Sequence, residues 1–225
     1  MNRVSHRRRV PTARPPTNSS ATEACASVAE LFVGGRAVGT LLLWLTLFMS
    51  LLLTVFLVSW LPLVARTSGI GLKSAVLAVS ALNLGGIAGC FLIGRVSRRW
   101  GPVLPIALSY VLGAVSISFL GFAGQSGTLL LIASLVAGLF TVGAQMSTIG
   151  FMAAFYDTST RATGVGWALG IGRIGAVVGP IIGGVFISWG MPMPTLFLIA
   201  GGMALVAAFA VSWVGRAALR VGVAI

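Results

Sequence analysis

Residues 40–64 read TLLLWLTLFMSLLLTVFLVSWLPLV, a run with no charged side chain. A helix rises about 1.5 Å per residue, so this run more than covers the roughly 30 Å of hydrocarbon in a bilayer, which takes about 20 helical residues. Its apolar residues are consecutive, as at Leu41, Leu42 and Leu43, whereas a membrane barrel strand alternates. With no water to satisfy its amides, the segment has to be helical. Residues 74–94, 102–123, 128–152, 163–187 and 194–214 pass the same test. The expected fold is an all-α membrane protein with six transmembrane helices inside a domain of residues 39–216.

Composition points the same way. The chain is 57% hydrophobic and 8% charged, against about a quarter charged in soluble proteins, and such a chain cannot cover itself with polar surface. A formal net charge of +12 in a soluble protein would suggest nucleic acid. Here most arginines sit between apolar runs or ahead of them, so the charge reports topology, and the partner is a lipid bilayer rather than nucleic acid. Residues 1–38, rich in Arg, Pro, Ser and Thr, form a basic tail with the composition of a disordered segment. Residues 217–225 form a short second tail. Cys25 and Cys90 share no metal spacing, and neither a cofactor nor a metal is expected.

The arginines also orient the chain. Arg3, Arg7, Arg8, Arg9, Arg14 and Arg36 precede the first span, Arg95, Arg98 and Arg99 follow the second, Arg161 follows the fourth, and Arg216 and Arg220 follow the sixth. All of these lie on one side of the membrane. The other side carries Arg66 and Lys73, so the positive-inside rule places both termini in the cytoplasm, in a cell inner (plasma) membrane. Trp44, Trp60, Trp100, Trp189 and Trp213 fall near span ends, as interfacial aromatics do, while Trp167 lies about a turn inside its span.

One charge stands inside a span. Arg173 is about ten residues into the fifth, close to the midplane, where an arginine costs about 2.5 to 3.5 kcal/mol on insertion scales. On a helix, Gly166 and Gly170 share its face and leave room beside the guanidinium. Gly172, Gly175, Gly179 and Gly183 make a stripe on roughly the opposite face, a spacing that lets another helix come close. The only acids are Glu23, Glu30 and Asp157, and none is placed to neutralise Arg173. Its partner is therefore an anionic substrate or a group from another chain, and a carboxylate suits its planar fork; alternatively it ties helices together through backbone carbonyls. Asn83 and Gln145 are the other polar candidates, each either a substrate contact or an interhelical hydrogen bond. The lone histidine, His6, lies in the tail and no span holds an acid. An enzyme is not expected.

Residues 161–180, RATGVGWALGIGRIGAVVGP, resemble the eleventh transmembrane helix of the aromatic acid:proton symporters in the major facilitator superfamily. Residues 34–62 are similar to that family's seventh helix and its lead-in. Residues 94–102, GRVSRRWGP, resemble the basic loop between helices eight and nine, which makes Gly94, Arg95, Arg98, Arg99 and Gly101 candidate gating residues. Where that loop usually carries an aspartate, this chain has Ser97. The resemblance implies one half of a twelve-helix transporter, an aromatic carboxylate and a proton as its cargo, and a complementary six-helix N-terminal half or a second copy as its partner. Another function class stays open: a small multi-pass interaction or regulatory protein that docks through its glycine-rich helix.

The arginine asymmetry makes topology testable. A reporter active only in the periplasm should be active when fused after Gly127 or Gly190 and silent after Arg99 or Ile225. The reverse pattern would overturn the orientation.

Overall fold

The computed structural model describes residues 28–32, 36–67, 71–123 and 126–221. Six long helices follow one another: α1 (Ala37–Thr67), α2 (Leu72–Trp100), α3 (Val103–Leu120), α4 (Gly127–Phe155), α5 (Arg161–Ser188) and α6 (Met193–Val221). Each is long and apolar enough to cross a membrane. The buried side chains gather into two clusters, one at each end of the bundle. Leu53, Leu61, Leu82, Leu120, Leu130 and Phe197 belong to one, while Leu43, Trp44, Ile106, Phe155, Ala168 and Val214 belong to the other. Every helix contributes to at least one cluster and successive helices run in opposite directions, so the start of α1 and the end of α6 lie together at the arginine-rich end.

Two segments depart from the sequence expectation. The basic stretch from Gly94 to Trp100 was expected as a loop but continues α2 without a break. Nothing in it stops a helix, and Arg98 and Arg99 in the last turn complement the negative end of the helix dipole. The stop is Gly101, at φ 78°, a conformation that favours glycine, followed by Pro102. In the tail, Val28–Phe32 forms a short 3-10 helix. Leu31 there is buried in the cluster at this end, and Thr40 Oγ1 donates to its carbonyl at 3.2 Å. Residues 1–27 of the tail lie outside the described residues. At the other terminus α6 runs on to Val221.

The pairing of helices has an internal symmetry. α1 packs against α5 and α6, α2 against α4, and α3 against α4 and α6. Exchanging α1, α2, α3 with α4, α5, α6 leaves these pairs unchanged: α1 on α5 becomes α4 on α2, α1 on α6 becomes α4 on α3, and α3 on α6 maps onto itself. Helices three apart in the chain run in opposite directions, so the bundle is an inverted repeat. The sequence keeps a trace of it. After α2 come Gly101 and Pro102, and after α5 come Trp189, Gly190, Met191 and Pro192, with Gly190 at φ 75°.

Lipid tails are as apolar as leucine, so close packing rather than the hydrophobic effect must hold the helices together. Glycines supply it at the contact of α2 with α4. Gly85 and Gly89 lie on the backbone of Leu135 and Leu139, and Gly138 lies on Leu82. A Cβ on Gly138 would sit 2.7 Å from the Leu82 carbonyl carbon and 2.8 Å from its Cα, and backbone cannot rotate away. Inside the bundle one group of hydroxyls links three helices. The Tyr110 hydroxyl donates to Ser50 Oγ at 2.9 Å and lies 3.3 Å from Thr148 Oγ1, joining α1, α3 and α4.

Gly138→Ala should therefore lower resistance to detergent denaturation by about 1 to 3 kcal/mol, the usual cost of overpacking. Gly202→Ala, where a Cβ meets nothing within 4 Å, should be neutral or slightly stabilising.

Candidate functional site

The least buried of the six spans is α5, with 22% of its most apolar window inside the bundle, against 33% for α2 and 44% to 50% for the rest. One face accounts for its packing. Gly172, Gly175, Gly179 and Gly183 are buried and lie in turn on Leu47 and Leu51, the Phe48 carbonyl, the Leu52 carbonyl and the Trp60 indole, all on α1. A side chain at any of them would strike α1, which is why the helix is so rich in glycine there.

The opposite face is uncovered. Gly166, Gly170, Arg173, Val177 and Ile181 are exposed along it. Gly166 and Gly170 have open space where a Cβ would be. Arg173, the thirteenth of 28 residues in α5, sits about 18 Å from the start of the helix, near its middle. Its guanidinium makes no hydrogen bond or ion pair among the described residues. The helix-tying alternative is thus not realised within these six helices.

Asn83 occupies a related place on α2, the repeat mate of α5. It is the twelfth residue of that helix, also exposed, and its amide nitrogen donates to the Val79 carbonyl at 2.9 Å, leaving Oδ1 free to accept. It lines an apolar groove of about 290 Å³ with Ile87, Cys90, Phe91, Val142 and Met146. Arg173 and Asn83 are not in contact; α1, which packs on both helices, separates them. Gln145 takes a different role. It is 5% exposed, inside the bundle, and its Oε1 accepts from Thr54 Oγ1 and so joins α1 to α4. Of the basic group, Arg95, Arg98 and Arg99 are exposed on the last turns of α2, Gly94 lies just before them and Gly101 ends the helix. Ser97 Oγ is buried there without a hydrogen-bond partner.

Sequence reasoning missed the aromatic lock at the arginine-rich end. Trp44 is only 9% exposed and stacks on Trp167 at a centroid distance of 6.3 Å, with Phe32 edge-on to its other side at 5.7 Å. Trp44 is therefore turned into the protein rather than toward the lipid interface, and it explains why Trp167 lies inside its span. Trp60 is likewise half-buried, against α5, whereas Trp100, Trp189 and Trp213 are exposed near helix ends as expected. Beside this lock Arg36 forms an ion pair with Asp157, tying the start of α1 to the turn between α4 and α5. The separation of 121 positions in the chain hid that pair. Among the described residues no cluster of His, Cys, Asp and Glu could hold a metal.

This arrangement has counterparts among known proteins. Residues 43–220 match the Major Facilitator Superfamily. The chain belongs to that superfamily. It is 38% identical over 199 residues to a gallate transporter of Pseudomonas putida, covering 88% of this chain and 44% of the relative. It is 42% identical over 165 residues to the 4-hydroxybenzoate transporter PcaK of Pseudomonas aeruginosa, covering 72% and 36%. A benzoate transport protein of Acinetobacter baylyi is 35% identical over 175 residues, covering 78% and 37%. The chain thus spans less than half the length of these curated relatives. As a superfamily member its six helices have the architecture of one half of the fold.

The ion pair sets a pH dependence. The hydrogen bond from Arg36, and then its charge, hold the Asp157 carboxyl below its ordinary value of 3.8. A lowered folded-state value means that the pair stabilises the fold above the ordinary value and that this gain is lost as pH falls through the lowered one. Detergent-unfolding midpoints should hold steady down to about pH 4 and then fall. Asp157→Asn should flatten that step, and added salt should shrink it, because the carboxylate is exposed and screened.

Proposed function

We propose that the six helices are the substrate-holding half of a proton-coupled transporter of aromatic carboxylic acids, with Arg173 receiving the carboxylate. The observation that carries this reading is the unpartnered guanidinium at mid-helix on an uncovered face. Left against lipid, such a group costs a few kcal/mol. Covered by a facing half, it becomes a binding site, with Gly166 and Gly170 leaving space beside it for a planar ring. Named relatives carry gallate, benzoate and 4-hydroxybenzoate, all ring carboxylates, and a carboxylate fits the two parallel donors of an arginine.

The other residues fall into place around this centre. Asn83, which α1 sets apart from Arg173, is a second polar contact on α2, its free oxygen able to accept from a substrate hydroxyl away from the Arg173 fork. Gln145 acts behind the site, as a brace between α1 and α4. Gly94, Arg95, Arg98, Arg99 and Gly101 form the gating segment at the end of α2, with the hinge at Gly101. Alternating access is then a rocking of this half against its partner, which is a complementary six-helix half or a second copy. The protein sits in the inner (plasma) membrane with both termini cytoplasmic and performs no catalysis. The chain's three acids are Glu23, Glu30 and Asp157, none of them within a span. The driving proton therefore binds on the partner half.

Binding and stability measured together test the site. In the assembled transporter, Arg173→Lys should weaken binding of labelled 4-hydroxybenzoate by about tenfold, a cost of about 1.4 kcal/mol, because a lysine is a point charge rather than a fork. Arg173→Ala should abolish binding while leaving detergent stability unchanged or higher. Normal binding by a folded Arg173→Ala protein would sink the assignment.

A further inference from the structure

A groove of about 420 Å³ opens at the arginine-rich end of the bundle, between the turn joining α2 to α3 and the end of the α6 span. Trp100, Gly101, Val103, Leu104 and Arg216 line it. It lies at the ends of the second, third and sixth spans, the depth at which lipid headgroups meet hydrocarbon. α3 does not pack against α5, so the groove is separate from the face that carries Arg173.

Its chemistry is that of an anion site with an apolar extension. Arg216 makes no ion pair among the described residues, and its guanidinium carbon lies 5.9 Å from the centre of the Trp213 ring, which holds it at the interface. The first backbone bond of α3 runs from Ile106 to the Pro102 carbonyl. No side chain caps this helix, and the amides of Val103 and Leu104 have no acceptor among the described residues. Trp100 is 67% exposed beside them. From the groove toward the middle of the membrane runs a strip of exposed apolar side chains, Leu104 and Leu108 on α3 with Leu205 and Phe209 on α6.

We propose that this groove binds the phosphodiester headgroup of an anionic phospholipid, with its acyl chains along the strip on α3 and α6. The Arg216 fork takes two phosphate oxygens, the free amides of α3 face a third, and the exposed indole of Trp100 sits at the level of the glycerol. Arg98 and Arg99, on the last turn of α2, add charge of the same sign and favour an anionic over a zwitterionic lipid. Inorganic phosphate shares the headgroup chemistry but would leave the apolar strip and Trp100 unused.

Native mass spectrometry of the full chain in detergent tests this with three probes: dioleoyl phosphatidylglycerol, dioleoyl phosphatidylcholine and inorganic phosphate. Phosphatidylglycerol should be retained over phosphatidylcholine by about fivefold or more, the worth of one basic side chain near an anionic surface. Arg216→Gln should erase that preference, Arg216→Lys should keep most of it, and Arg66→Gln at the opposite end should leave it intact. Ala107→Phe, which fills the groove without touching the charge, should also erase it and decides the matter should Arg216→Gln fail to fold. A preference that survives either groove variant overturns the proposal. So does displacement of phosphatidylglycerol by inorganic phosphate, which would assign the groove to the free ion.

Discussion

Helices in lipid have no water to escape from, so the bundle depends on backbones being able to touch. Glycine makes that contact most fully where α2 meets α4 and where α5 meets α1, and again at Gly201 of α6 against the Ala114 carbonyl of α3. The first two are the same contact seen twice, since the inverted repeat exchanges α2 with α5 and α4 with α1. The consequence is architectural. Each glycine-rich helix is held firmly along one narrow stripe and so does not need its remaining surface for stability. α2 and α5 are the two least buried spans, and each carries an exposed polar group at mid-helix, Asn83 and Arg173.

The interior tells the complementary story. Tyr110, Ser50 and Thr148 form a network of neutral hydroxyls, and Thr54 with Gln145 adds a neutral pair between α1 and α4. These partners are hydroxyls and an amide, whereas the charged side chains among the described residues lie at the helix ends or, in Arg173, on the open face. At the arginine-rich end the ion pair of Arg36 with Asp157 and the stack of Trp44 on Trp167 fasten the start of α1 to α5, which steadies the helix that carries Arg173.

Much of this was legible in the sequence because it rests on periodicity. The six spans follow from apolar length, and the two faces of α5 follow from helical geometry applied to its glycines and Arg173. What escaped was whatever depends on contacts between distant segments. Arg98 and Arg99 looked like a loop because charge marks a span end, yet a charged stretch can stay helical once it leaves the hydrocarbon. Trp44 looked like a lipid anchor because its partner, Trp167, comes from a span far along the chain. Gln145 and Tyr110 could have faced either way, since an apolar run with a single polar residue does not say which side of the helix is inside.

The free guanidinium on α5 also has an electrical meaning. A formal positive charge near the midplane lies within the membrane field, which acts with about 2.3 kcal/mol per elementary charge for each 100 mV when the whole field is crossed. On the proposed reading a carboxylate held by Arg173 would cancel that charge, so the field would act differently on this open face with and without its anion.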